Sequence, residues 1–176
     1  SDRLLARGGT IDKFIGDSVM AYFGAPVPDS NHAIHAVRAA IDIVQAVAER
    51  NQQLGGDGYR VQVGIGIHTG TVVVGTIGTE RRADFTAVGD AVNVAHRLEK
   101  LARPGEILVS EAVQRRVRGT VTLRFEGERQ LSGRVEPVHV YSVDPSPPAR
   151  AVDTKGDRVI ELNAPEEIYD FAAWPR

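Results

Sequence analysis

Four residues of this sequence combine type and spacing in a way that points to chemistry: Lys13, Asp17, Asn93 and Arg97. The first two lie in Gly9-Thr-Ile-Asp-Lys-Phe-Ile-Gly-Asp17, where Gly16-Asp17 separates two apolar runs, Thr10–Ile15 and Ser18–Phe23. A two-residue spacer with a glycine predicts a tight β-hairpin. Lys13 then lies on the first strand and Asp17 in the turn. Aspartate is a common turn residue. A stiff turn also aims a carboxylate at a hard cation such as magnesium, which takes one or two carboxylates beside substrate phosphates. Both readings stand at this point. Asn93 and Arg97, in Gly89-Asp-Ala-Val-Asn-Val-Ala-His-Arg97, are four apart and share a helix face. An amide and a guanidinium placed there orient and neutralise a phosphoryl group. The alternative is a solvated polar face opposite Val94 and Leu98. His96 has no ligand spacing and takes no role.

The elements that must position these residues follow from periodicity. Residues 1–7 read as the end of a helix stopped by Gly8-Gly9. Residues 32–53 form the clearest helix, with Ile34, Val37, Ile41, Val44 and Ala48 on one face and Asp29, Ser30 or Asn31 as its cap. Gly55, Gly56 and Gly58 end it. Val61–Ile67 alternates as a strand whose glycines predict a close neighbour. Residues 71–77 are strand-like, Glu80–Asp84 a charged loop, and Phe85–Val88 a short strand. A helix follows over 90–102, then a strand at Ile107–Val109, a helix from Ser110 to about Val117, and strands near 120–126 and 137–143. This order predicts an α+β domain with helices on one side of a sheet. The expected domain is 1–143. Residues 144–176 form a proline-rich linker and a tail, with apolar stretches at Val159–Leu162 and Ile168–Trp174 that suit a docked strand and short helix.

Composition sets the bounds. The chain has 176 residues, 42% hydrophobic and 25% charged, which suits one globular domain plus a tail. A net charge of -2 argues against nucleic-acid binding. The absence of cysteine excludes disulfides and thiolate metal sites. No run is long enough for a membrane span and no signal peptide is visible. A cytoplasmic setting is expected, with membrane or regulatory domains compatible outside this chain.

Several motifs together resemble one family, the class III adenylyl and guanylyl cyclases. They are Gly9–Asp17, Val63-Gly-Ile-Gly-Ile-His-Thr-Gly70, Val74-Gly75 with Gly78, Val88–Arg97, Pro104-Gly-Glu-Ile-Leu-Val-Ser110 and Glu136-Pro-Val-His-Val-Tyr141, in family order over residues 4–143. The resemblance implies a ferredoxin-like α+β fold that pairs head to tail as a homodimer, with active sites at the interface. It implies that ATP is converted to cyclic AMP and pyrophosphate by attack of the ribose 3′-hydroxyl on the α-phosphorus, assisted by two Mg2+ or Mn2+ ions. Asp17 matches a metal-binding aspartate, and Lys13 with its partner Thr86 an adenine-contacting pair. Arg81 matches a phosphate contact. Asn93 and Arg97 match the pair that orients ribose and stabilises the phosphoryl group. Guanine-specific members carry glutamate where this chain has Lys13, and cysteine or similar where it has Thr86.

Two departures qualify the match. The family's first metal aspartate lies on an N-terminal strand in an Asp-Ile-x-Gly-Phe pattern, and this sequence holds no such segment. The fold is therefore expected to be N-terminally incomplete and this chain alone inactive, with the tail, residues 159–174, or a second copy covering the gap. The second departure is Ser132, which stands where the family commonly has a phosphate-contacting lysine; Arg129 and Arg134 are the nearby cations, and arginine is not equivalent in shape. Two function classes result: an adenylyl cyclase, or a non-catalytic cyclase-like module for nucleotide binding or dimerisation in signalling.

Overall fold

A computed structural model of the chain describes residues 1–54, 60–79, 82–131, 136–145 and 174–175. In chain order the elements are α1 (Asp2–Ala6), β1 (Thr10–Ile15), β2 (Ser18–Tyr22), α2 (His32–Gln53), β3 (Ile65–Ile67), β4 (Val73–Thr79), β5 (Arg82–Val88), α3 (Asp90–Leu101), β6 (Ile107–Ser110), α4 (Glu111–Val117), β7 (Leu123–Arg129), β8 (Val138–Val143) and β9 (Trp174–Pro175). The main sheet has the order β7-β8-β6-β3-β9, and β1-β2 and β4-β5 form separate antiparallel pairs. β3 and β6 run parallel; every other pairing is antiparallel.

The α+β expectation holds, but its layering needs correction. Ile107 and Val109 of β6 pack with Ala36, Val37 and Ala40 of α2 and Val113 of α4. Leu108, pointing the other way, packs with Val94 and Leu98 of α3. The helices therefore cover both faces of β6, which is why all four of its residues are buried and no polar alternation appears. On α2 the deepest residues are the alanines at 33, 36, 39 and 40 with Val37; Ala48 is exposed. Small side chains let the helix approach the sheet closely, so the bulkier Ile34, Ile41 and Val44 flank the contact.

Element ends moved for identifiable reasons. The strand expected from Val61 begins only at Ile65, because Val61 exchanges both backbone hydrogen bonds with the Asn51 side chain. The charged loop after β4 shrinks: Asp84 pairs with Ile77 and Thr79 with Arg82 inside a hairpin. β7 starts at Leu123 because Thr120 closes a turn back onto the Val117 carbonyl. Ser110 stands at the start of α4 without capping it; its hydroxyl shares a 2.7 Å hydrogen bond with His68 Nδ1. Asn31 precedes α2 in the same way, and Asp29 instead gathers the Asn31 N–H and His35 Nδ1.

Two features bear on the site. Gly66 of β3 lies against the backbone of α3, where an added Cβ would collide with Glu99 N, Ala95 O and, at 2.8 Å, Leu98 C. Short β9 pairs with β3 through Ile65↔Pro175 and Gly66↔Trp174 and lies beside β2 as well. The stretches expected as linker, tail strand and tail helix fall almost wholly in residues 146–173, outside the described residues, as do Gly55, Gly56 and Gly58.

Candidate active site

The β1–β2 hairpin forms as its spacing requires. Ile15 pairs with Ser18 around Gly16-Asp17, and Gly16 adopts φ 63°, a conformation open to glycine and strained for most other residues. Asp17 is exposed at the tip. The register of the strand is less predictable than the turn. Between Ile11 and Lys13 the register slips, which leaves Asp12 as the extra residue of a β-bulge.

That bulge builds the best-defined polar cluster of the site. Lys13 Nζ donates to Thr86 Oγ1 at 2.9 Å, joining residues far apart in sequence on β1 and β5. Thr86 Oγ1 in turn donates to Asp12 Oδ2 at 2.7 Å, and the Ala87 N–H donates to the same oxygen at 3.1 Å. Lys13 Nζ also lies 3.4 Å from Asp12 Oδ1. The Lys13–Thr86 pairing is therefore present within one chain. Asp12 was not among the expected site residues. A carboxylate next to Lys13 was visible in the sequence, but strict strand alternation aims it at the opposite face. Tyr22, buried nearby, has its phenol pKa pushed up, first by burial and then by the charge of Asp12.

Asn93 and Arg97 lie on α3. Ala91 and Ala95 pack this helix onto Met20 and Tyr22 of β2 and Ala87 of β5, while Val94 and Leu98 face the main sheet. The same small cluster thus fixes the helix to β5, which carries Thr86, and to β2, the hairpin partner of the strand that carries Lys13. Asn93 is exposed and Arg97 half-buried. Arg97 Nη1 is buried and has no hydrogen-bond partner among the described residues. A guanidinium nitrogen so placed is ready for an anionic ligand, since its desolvation is already incurred.

Among the described residues no hydrogen bond or ion pair links Asp17, Asn93 or Arg97 to Lys13 and Thr86. Arg81, Ser132 and Arg134 lie outside the described residues. Arg129, at the end of β7, donates to the carbonyl of neighbouring Glu128 at 3.1 Å. For a metal, the described residues offer no cluster of three or more His, Asp or Glu side chains. Asp17 alone suits one ion shared with nucleotide phosphates; it does not suit two.

The profile of the adenylate and guanylate cyclase catalytic domain matches residues 2–144. The chain belongs to this family. Among its relatives is adenylate cyclase 1 of Rhizobium meliloti, 38% identical over 146 residues that make up 81% of this chain and 22% of that protein. The chain thus spans less than a quarter of that curated relative. Among solved structures, the adenylyl cyclase CyaB from P. aeruginosa superposes with a TM-score of 0.76 at 33% identity, over 90% of this chain and 79% of that one. The guanylyl cyclase Cya2 gives 0.72 at 36% identity, over 81% and 73%. Neighbours of both nucleotide specificities therefore share the cyclase fold, and the choice of base rests on individual residues. No helix among the described residues of this cyclase domain is long and apolar enough to cross a membrane.

Proposed function

We propose that this chain is the catalytic domain of an adenylyl cyclase, which forms cyclic AMP and pyrophosphate from ATP as a homodimer. The observation that carries the reading is the 2.9 Å bond from Lys13 to Thr86. It holds an ammonium and a hydroxyl side by side, a donor for a ring nitrogen of adenine and an acceptor for its amino group.

In the reaction the ribose 3′-hydroxyl loses its proton to solvent, its oxygen bonds to the α-phosphorus, and the bond from that phosphorus to the bridging oxygen breaks, releasing pyrophosphate. The transition state gathers negative charge on the phosphoryl oxygens. Arg97 meets that charge with a guanidinium whose buried nitrogen has no competing partner among the described residues. Asn93, one turn earlier, orients the ribose, and Arg81 contacts the phosphates. Asp17 would hold one Mg2+ or Mn2+ ion by its carboxylate, and the ion would supply charge neutralisation to the triphosphate. Catalysis then depends chiefly on positioning and preorganised charge.

Assembly as a dimer is supported by exposed apolar side chains around the site. Phe14 and Ile15 on β1, and Val73, Ile77, Phe85 and Val88 on the β4–β5 hairpin, are all exposed in the single chain. Such a concentration of large apolar groups marks an interaction surface.

The test is cyclic nucleotide formation by the full-length protein with ATP and with GTP. We expect kcat/KM for ATP to exceed that for GTP by at least about tenfold, the discrimination that unpaired polar groups in a wrong complex impose. Lys13→Glu should abolish the preference. Equal turnover of both nucleotides, or a K13E variant that still prefers ATP, overturns the adenine reading. Folded protein that binds ATP without turnover points instead to a non-catalytic nucleotide-binding module.

A further inference from the structure

The hydrogen bonds of Thr86 can be counted. A threonine hydroxyl has one proton and two lone pairs. Asp12 is a carboxylate and accepts, so the 2.7 Å bond uses the Thr86 proton. Lys13 carries an ammonium and donates, so the 2.9 Å bond uses one lone pair. The capacity left on Thr86 is one lone pair and no donor.

We infer that Asp12 is a positioning residue for base selection: it takes the Thr86 proton and so turns that hydroxyl into an acceptor, which suits an amino group and opposes a carbonyl. The inference rests on the adenylyl cyclase reading above. Adenine presents an amino donor at its six-position where guanine presents a carbonyl acceptor. A threonine free to rotate satisfies either base by donating or accepting. A threonine with its proton committed satisfies only adenine. Thr86 keeps 7% of its surface exposed in the single chain, so the remaining lone pair is reached at close range and in one direction.

Two further observations favour this role over a structural one. The β-bulge is what lets adjacent Asp12 and Lys13 both reach Thr86; a regular strand would send them to opposite faces. In addition, the Asp12 side chain is 1% exposed, and its Oδ1 makes a 3.4 Å ion pair with Lys13 but no hydrogen bond. Burying a carboxylate, even one paired at that distance, costs stability. Fold stability alone does not explain its presence, whereas control of Thr86 does.

The Ala87 N–H donates to the same Asp12 oxygen, which makes a clean test available. In Asp12→Asn that N–H holds the amide oxygen in place, so the acceptor for Thr86 survives. In Asp12→Ala it is lost. Asp12→Leu keeps the branched shape without the acceptor and serves if the alanine variant does not fold. Each variant of the full-length protein is assayed for kcat/KM with ATP and GTP, and for binding of the non-cyclising α,β-methylene analogues of both. We expect the ATP-to-GTP ratio to fall at least about tenfold in Asp12→Ala or Asp12→Leu and to stay within about threefold of wild type in Asp12→Asn. In a Thr86→Val background the same substitutions should leave the ratio unchanged, because Asp12 acts through the hydroxyl. A folded Asp12→Ala or Asp12→Leu protein that loses both nucleotides equally, with the ratio intact, overturns the inference. If the wild type forms no cyclic nucleotide, the cyclase reading fails while the analogue-binding ratios still decide the role of Asp12. Equal wild-type binding of the two analogues also overturns it.

Discussion

At the residue scale, the proposed function assigns Lys13 and Thr86 to reading the base and Arg97 to meeting charge. The Thr86 proton goes to Asp12, which leaves Thr86 an acceptor beside the Lys13 ammonium. Arg97 Nη1 is buried without a hydrogen-bond partner among the described residues, so the resting protein already carries a desolvation cost that substrate charge would offset under the proposed function. Arg97→Ala should therefore lower kcat by about 100- to 1000-fold with a much smaller change in KM, as loss of a transition-state donor does. Arg97→Lys should recover little, because an ammonium reproduces neither the planar fork nor its reach. Steady-state kinetics of both variants check this. A rise in KM with kcat unchanged would assign Arg97 to ground-state binding instead.

At the element scale, the position of α3 decides where Asn93 and Arg97 lie. Gly66 is the seat of that helix on β3, with no room for a Cβ before the backbone at Ala95, Leu98 and Glu99. A helix backbone yields less readily than the end of a flexible side chain. Gly66→Ala should thus destabilise the domain by about 3 kcal/mol, the upper end for overpacking, and lower Tm by roughly 6–12 °C for a chain of this size. It should also lower turnover at temperatures where the protein remains folded, because a displaced α3 carries Asn93 and Arg97 with it. Thermal unfolding beside activity at low temperature tests both parts. Full activity with unchanged Tm would show that α3 is not held by this contact.

At the scale of the whole molecule, the single chain holds the parts of a site without joining them. Lys13 and Thr86 bond to each other, whereas Asp17 stands exposed at the hairpin tip with no hydrogen bond or ion pair to them among the described residues. The proposed head-to-tail dimer would bring Asp17 of one subunit to Asn93 and Arg97 of the other and would cover the exposed Phe14, Phe85 and Val73. Asp17→Ala and Asn93→Ala proteins should each be inactive alone. Mixed in equal amounts they should regain roughly a quarter of wild-type activity, because random pairing makes half the dimers mixed and each mixed dimer holds one intact site of two. Cyclic AMP formation by the mixture, with heterodimers verified by differential tagging, checks this. Verified heterodimers as inactive as their parents would place all these residues in one subunit's site.

Local pattern was enough for the α2 helix, for the hairpin turn at Gly16-Asp17 and for the shared face of Asn93 and Arg97, since each depends on residues within one or two turns of one another. The motif series likewise carried the family and its candidate residues. The layering was not legible: Ile107, Leu108 and Val109 are all apolar, so their alternation between α2 and α3 leaves no trace in hydropathy. Nor was the early end of the strand expected at Val61, where a side chain from α2 takes the backbone groups that a neighbouring strand would have used. Asp12 shows the same division at the site. Its type was plain in the sequence, but its direction came from a bulge, and its role from a hydroxyl and an N–H on β5. Local sequence determines which way a chain turns and which groups it carries; the hydrogen-bond partners those groups find are decided by distant segments packed against them, and therefore by the tertiary structure.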